Sequence, residues 1–157
     1  MQLKTYIANR LREVFLDGKL VSGTNFKEQI IRVYWEDAIK SINGRNSIAT
    51  LTYHINYYIK GVGKVLDGGT LEIKDKYSFD APKIESQKDW QKRVDKFCED
   101  AEHFVSLVED LQEEDLFKPF VDEKYGNYLK NLDLMIEHTY YHLGQIVLIN
   151  KMLSHKN

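Results

Sequence analysis

The chain has 157 residues, 43% of them hydrophobic and 29% charged, and its 22 Lys and Arg nearly cancel its 24 Asp and Glu for a net charge of −2. That balance, with no basic stripe, excludes the electrostatic footprint of a nucleic-acid binder, and apolar runs far short of the roughly 20 residues of a membrane span exclude an integral membrane protein. The length suits one domain over residues 1–157, the charged N-terminus lacks a signal peptide's apolar stretch, and the single Cys98 precludes an internal disulfide, so a cytoplasmic protein is expected.

In chain order, Leu3, Ile7, Leu11 and Val14 recur at three- and four-residue steps and predict a first helix over 2–17, ended by Asp17-Gly18. Residues 18–45 read as irregular, with short helices expected after the Asn25/Glu28 capping pair and around "YWEDAIKSI". A long helix should begin near Asn46 or Ser47 and stop at "LDGG", with Ile48, Leu51, Ile55, Tyr58, Val62 and Leu66 as its buried stripe. "TLEIKDKYSFDAPKIE" is an extended connection too long for a helical hairpin, which suggests a crossover or a lid. Ser86 and Asp89 cap a third long helix, whose seam of Trp90, Val94, Phe97, Ala101, Phe104 and Val108 continues to Leu111. "QEEDLFKPFVDEKYGN" then leads to a fourth, roughly Tyr128 to Leu153. Four amphipathic helices without a strand pattern predict an all-α four-helix bundle with long crossover connections.

Bundles commonly build sites from side chains on facing helices, which directs attention to the histidines. His138 and His142 lie four residues apart on one side of the last helix, with Gln145 and Ile149 continuing their stripe and Met135 and Ile146 beside them. At that spacing two imidazoles can reach one ion, although a bare H-x-x-x-H also suits two hydrogen-bonded surface histidines. His54 is the candidate third ligand, because it shares the side of its helix that carries Leu51, Ile55 and Tyr58, with Gly61 two turns on. Burying three imidazoles without a metal requires a partner for each polar nitrogen. Gly144, beside the pair, would let a facing helix approach.

His103 lies off the apolar seam and His155 in the tail, so both are expected to face solvent. The last helix has no Glu in the general-base position of H-E-x-x-H, which removes the zinc-peptidase reading. "GVGKVLDGG" lacks phosphate-loop spacing and reads as a helix ending. The ten tyrosines lack basic interleaving and should line a core or pocket, and Glu113-Glu114-Asp115 is a solvated connection.

"NSIATLTYHINYYIKGV" followed by "HTYYHLGQIVLINKML", with the "SFDAP" link and the Trp90 helix start between them, resembles the DinB-like (YfiT-like) superfamily of metal-dependent proteins over most of the chain. The resemblance implies a four-helix bundle with long crossovers and a divalent ion, usually nickel or zinc, held by three histidines that map onto His54, His138 and His142. It also implies thiol transferase or isomerase chemistry with a metal-bound low-molecular-weight thiol such as bacillithiol or mycothiol, and in some members a homodimer. Three protein nitrogens leave coordination positions open, as catalytic rather than structural sites do. The tyrosine-rich bundle mouth and the 69–85 connection would shape access, and Gln145 would hydrogen-bond near the site. The expected function is a metal-dependent enzyme of thiol S-transferase or hydrolase type acting on a small molecule. A non-catalytic, stress-related bundle with adventitious metal binding is the alternative. Three imidazoles also suit copper and iron, so the pattern alone does not choose the metal.

Overall fold

The computed structural model describes residues 2–154. Six α-helices follow in order: α1 (Leu3–Arg12), α2 (Phe26–Ile30), α3 (Trp35–Ala38), α4 (Ile48–Leu66), α5 (Gln87–Asp110) and α6 (Tyr128–Ser154). Among the described residues there is no strand, only an isolated bridge between Pro119 and Asn127, and no helix is long and apolar enough to cross a membrane. The class is all-α, and four long helices share one hydrophobic core.

The expected helix starts follow from capping chemistry. Ser47 Oγ accepts from the Thr50 amide at 3.2 Å, and Asn25 Oδ1 accepts from that of Glu28 at 2.9 Å. Ser86 Oγ accepts from the Asp89 amide while donating to the Asp89 carboxylate. Each cap satisfies an amide that the first helical turn would otherwise leave unpaired. The first helix departs from its expected form. It is α-helical only to Arg12 and continues as a π-turn, Glu13–Asp17, closed by the Gly18 amide on the Glu13 carbonyl at 3.0 Å. This wider turn buries Val14, Phe15 and Leu16 in succession. Phe15 meets Phe97 and Phe104 edge-on, and Phe26 stacks on Phe97 at 4.7 Å. Of the hydrophobic residues in the expected stripes, Leu3, Tyr58, Leu66, Leu111 and Ile149 are only partly buried.

Helix direction positions everything else. Arg93 of α5 donates to the carbonyl of Ala49 on α4, and Asn56 donates to Asp100, so both contacts join residues 44 apart and the two helices run parallel. In contrast, α1 meets α5 antiparallel, with Arg12 against Glu102 and Lys4 against the Leu111 carbonyl. A parallel neighbour cannot be reached by a short turn. The chain after α4 must retrace that helix, about 28 Å long at 1.5 Å per residue. Residues 67–86 do so as a strap: Lys74 exchanges hydrogen bonds with Tyr57, Tyr58 donates to Asp75, and the Ser78 carbonyl reaches His54. The long connection is therefore a crossover that also covers one face of α4. It leaves α4 through Gly68, whose φ of +83° lies in the left-handed region that favours glycine.

Gly61 lets the strap approach, since a Cβ there would overlap the Ile73 side chain. Gly144 has no such role, because a Cβ at that position would meet open space. Its expected close approach of a facing helix does not occur. Gly61→Ala should thus destabilise by about 1–3 kcal/mol through overpacking, outweighing the gain in helix propensity of up to about 1 kcal/mol. Urea denaturation should show the loss, and adding Ile73→Ala should recover part of it.

Candidate metal centre

His54 and His142 are buried, with 4% and 6% of their surface exposed, and His138 is partly buried between them. Antiparallel packing of α4 and α6 brings them together, placing His54 opposite both members of the His138/His142 pair. Their ligand atoms all lie within 4.8 Å of one another. His138 Nε2 is 3.0 Å from His54 Nε2 and 2.9 Å from His142 Nε2.

The outer nitrogens determine what the inner ones offer. His54 Nδ1 lies 3.3 Å from the Ser78 carbonyl and His142 Nδ1 lies 2.6 Å from Gln145 Oε1. A carbonyl or amide oxygen can only accept, so each Nδ1 carries the proton and donates it, leaving a lone pair on Nε2. Two lone pairs then converge on His138 Nε2, whose single N–H cannot satisfy both at full strength. A cation resolves the conflict. Tetrahedral coordination with bonds of roughly 2.0–2.1 Å would place the nitrogens about 3.3–3.4 Å apart, near the 3.0 and 2.9 Å separations that His138 Nε2 makes with its two neighbours.

The surroundings hold the rings and keep them neutral. Phe79 stacks on His54 at 3.9 Å with 10° between planes, Tyr58 meets His54 and His138 edge-on, and Tyr141 meets His142 edge-on. Burial, and then the neighbouring His142 and His138, lower His54 to about 4. Burial, followed by His142, brings His138 to about 4, and burial lowers His142 also. Neutral imidazole is the metal-binding form, so the triad is ready near pH 7.

A cleft of about 820 Å³ reaches the triad at His138. Val62, Leu134 and Met135 supply apolar wall, while Tyr58, Asp75 and Glu137 supply polar groups. Asp75 accepts the Tyr58 hydroxyl hydrogen bond at 2.9 Å. Burial, and then this carboxylate, raise the Tyr58 phenol above its ordinary pKa.

All three histidines singled out by periodicity come together, and Gln145 makes the hydrogen bond expected near them. His103 is exposed on α5, away from the cluster, and His155 lies outside the described residues. Sequence reasoning gave no role to Asp75, Ser78 or Phe79. The "SFDAP" segment held two of them, but their register against α4 has no periodic signature.

The lowered histidines carry a pH consequence for metal-free protein. Unfolding returns each ring to about 6.5, so the unfolded chain takes up protons first as the pH falls. Their neutral burial is fully compatible with folding above about pH 6.5 and opposes it increasingly as the pH falls toward about 4. In chelator-treated protein, urea midpoints should drop across that window. In a His54→Asn, His138→Asn variant, the drop should be shallower.

A family model described as the DinB superfamily matches residues 33–146, a span that contains all three histidines and the whole strap. No curated protein and no solved structure matches the chain. Because the family match covers most of the chain, α4, the strap and α5 included, this protein belongs to the DinB superfamily.

Proposed function

We propose that His54, His138 and His142 bind one divalent metal ion, zinc or nickel, through their Nε2 atoms, and that the protein is a metal-dependent enzyme of thiol S-transferase or hydrolase type. The observation that carries the reading is the convergence of the His54 and His142 Nε2 atoms on His138 Nε2 at 3.0 and 2.9 Å, where a single N–H faces two lone pairs and leaves one of them without a donor. Membership of a superfamily in which metal binding occurs supports it.

When bound, a divalent ion with three protein ligands supplies open positions at which water or a thiol ionises near neutral pH. The chain's own groups would do the rest. The Ser78 carbonyl and Gln145 Oε1 orient two rings by accepting their Nδ1–H bonds and raise the basicity of the inner nitrogens. Phe79 excludes water from one face of His54. Asp75, already accepting from Tyr58, is one of two carboxylates on the cleft wall, with Glu137, that can take a proton released from an incoming thiol or water. Val62, Leu134 and Met135 would receive the apolar part of a small substrate.

Untagged protein purified without chelator should contain close to one equivalent of zinc or nickel by mass spectrometry, and a His138→Ala, His142→Ala variant should contain almost none. Equal metal in the two would overturn the site. For the transferase form, a low-molecular-weight thiol such as bacillithiol should raise the melting temperature of metal-loaded protein and leave metal-free protein unchanged, as binding linkage requires. Indifference in both states would instead favour hydrolytic chemistry or a non-catalytic bundle.

A further inference from the structure

On the other side of the strap from the histidines lies a second cleft, of about 600 Å³, between residues 72–84 and the parallel pair α4 and α5. Ile73 lines both clefts and separates them. In a chain of net charge −2, this one gathers Lys60, Lys64, Lys83, Lys92, Arg93 and Lys96 against only Glu72 and Asp89. Both carboxylates are already engaged: Glu72 pairs with Lys64 and accepts from Thr70, while Asp89 serves the cap of α5. Lys96 pairs with Asp100 at 2.8 Å. That leaves Lys60, Lys83, Lys92 and Arg93 with no carboxylate partner among the described residues.

Arg93 is the built element of this cleft. Its guanidinium is partly buried, held in place by the carbonyls of Ala49 and Pro82, and set over the Tyr53 ring at 5.7 Å. The Glu102 carboxylate raises Arg12 above the ordinary arginine pKa, and the Tyr6 hydroxyl, with Glu13 nearby, raises Arg10, whereas burial pushes Arg93 below it with no carboxylate to offset the cost. Partly buried charges ordinarily have an opposite charge nearby, and a fork of planar donors suits a phosphate or carboxylate. The two carbonyls occupy only two of its five N–H donors.

Apart from Asn56, the rest of the lining is flat and largely apolar. Tyr53 and Tyr57 stand one helical turn apart with ring centres 6.3 Å from each other, and Ile73, Pro82 and Ile84 face them from the strap. Lys74 holds the Tyr57 hydroxyl through both its amide and its carbonyl, so that ring is fixed. The volume falls within the roughly 300–1,000 Å³ usual for small-molecule sites.

We infer that this cleft is a second ligand site, separate from the histidine cluster, for a small organic anion that joins a phosphate or carboxylate to a planar ring, with Arg93 and the unpaired lysines taking the charge and the Tyr53–Tyr57 wall taking the ring. Adenosine monophosphate serves as probe, with adenosine and inorganic phosphate as its two halves. Calorimetric titration of metal-loaded, full-length protein should show saturable binding of the nucleotide that weakens as salt is raised, with each half binding less tightly. Lys60→Gln with Lys92→Gln, both on exposed positions, should weaken it about tenfold. Arg93→Lys keeps the charge but loses the fork, and should weaken it further; because Arg93 also ties the strap to α4, this variant is titrated well below its own melting transition. The His138→Ala, His142→Ala variant should bind the nucleotide as the unmodified protein does. The inference is overturned by absence of nucleotide binding, by affinity unchanged in both cleft variants, or by inorganic phosphate binding as tightly as the nucleotide. Loss of binding in the histidine variant would also overturn it, because the nucleotide would then sit on the metal centre.

Discussion

The parallel packing of α4 against α5 is the constraint from which the rest of this structure follows. Two adjacent helices that run the same way cannot be joined by a turn, so the intervening chain must travel back along the first. Because it travels over α4, it delivers the Ser78 carbonyl and the Phe79 ring to His54 on one side and the Pro82 carbonyl to Arg93 on the other. Gly61 admits that path by leaving room for Ile73. A bundle with simple up-and-down connections would have the same helices without this covering layer.

The strap also separates two electrostatic environments. On the α6 side, burial keeps three imidazoles neutral and turns the lone pairs of two of them toward the third, an arrangement suited to accepting a cation. On the α5 side, lysines and one carboxylate-free arginine surround a tyrosine wall, an arrangement suited to an anion. The same segment contributes backbone acceptors to both, the Ser78 carbonyl to His54 and the Pro82 carbonyl to Arg93. Few side chains on the strap itself are buried, Ser78 being the exception, and its attachment rests on hydrogen bonds from Tyr57, Tyr58 and Arg93.

Much of the fold was legible because its signals are local. Ser47, Asn25 and Ser86 cap helices through amides three residues away, and the seam from Trp90 to Val108 repeats at helical spacing. The same periodicity placed His54, His138 and His142 on inward or half-inward faces. The π-turn after Arg12 was not legible, because its widening answers to packing of Phe15 against Phe97 and Phe104 rather than to any residue preference within the turn. Gly144 misled for a related reason: a small residue permits close approach but does not require it, and here no neighbour comes near.

By itself the sequence determined which long segments are helical, where α2, α4 and α5 start, and which three imidazoles face inward, since those depend on contacts within four residues along the chain. Only the tertiary structure decided that α4 and α5 run parallel, that Ser78 and Gln145 fix the tautomers of two rings, and that Arg93 lies partly buried without a carboxylate. The physical reason is the range of the interactions concerned. The contacts of His54 with His138, of Arg93 with Ala49 and of His54 with Ser78 join residues 84, 44 and 24 positions apart, and their register is set by how side chains interlock between helices and by the path of the strap. Neither leaves a periodic trace in one sequence.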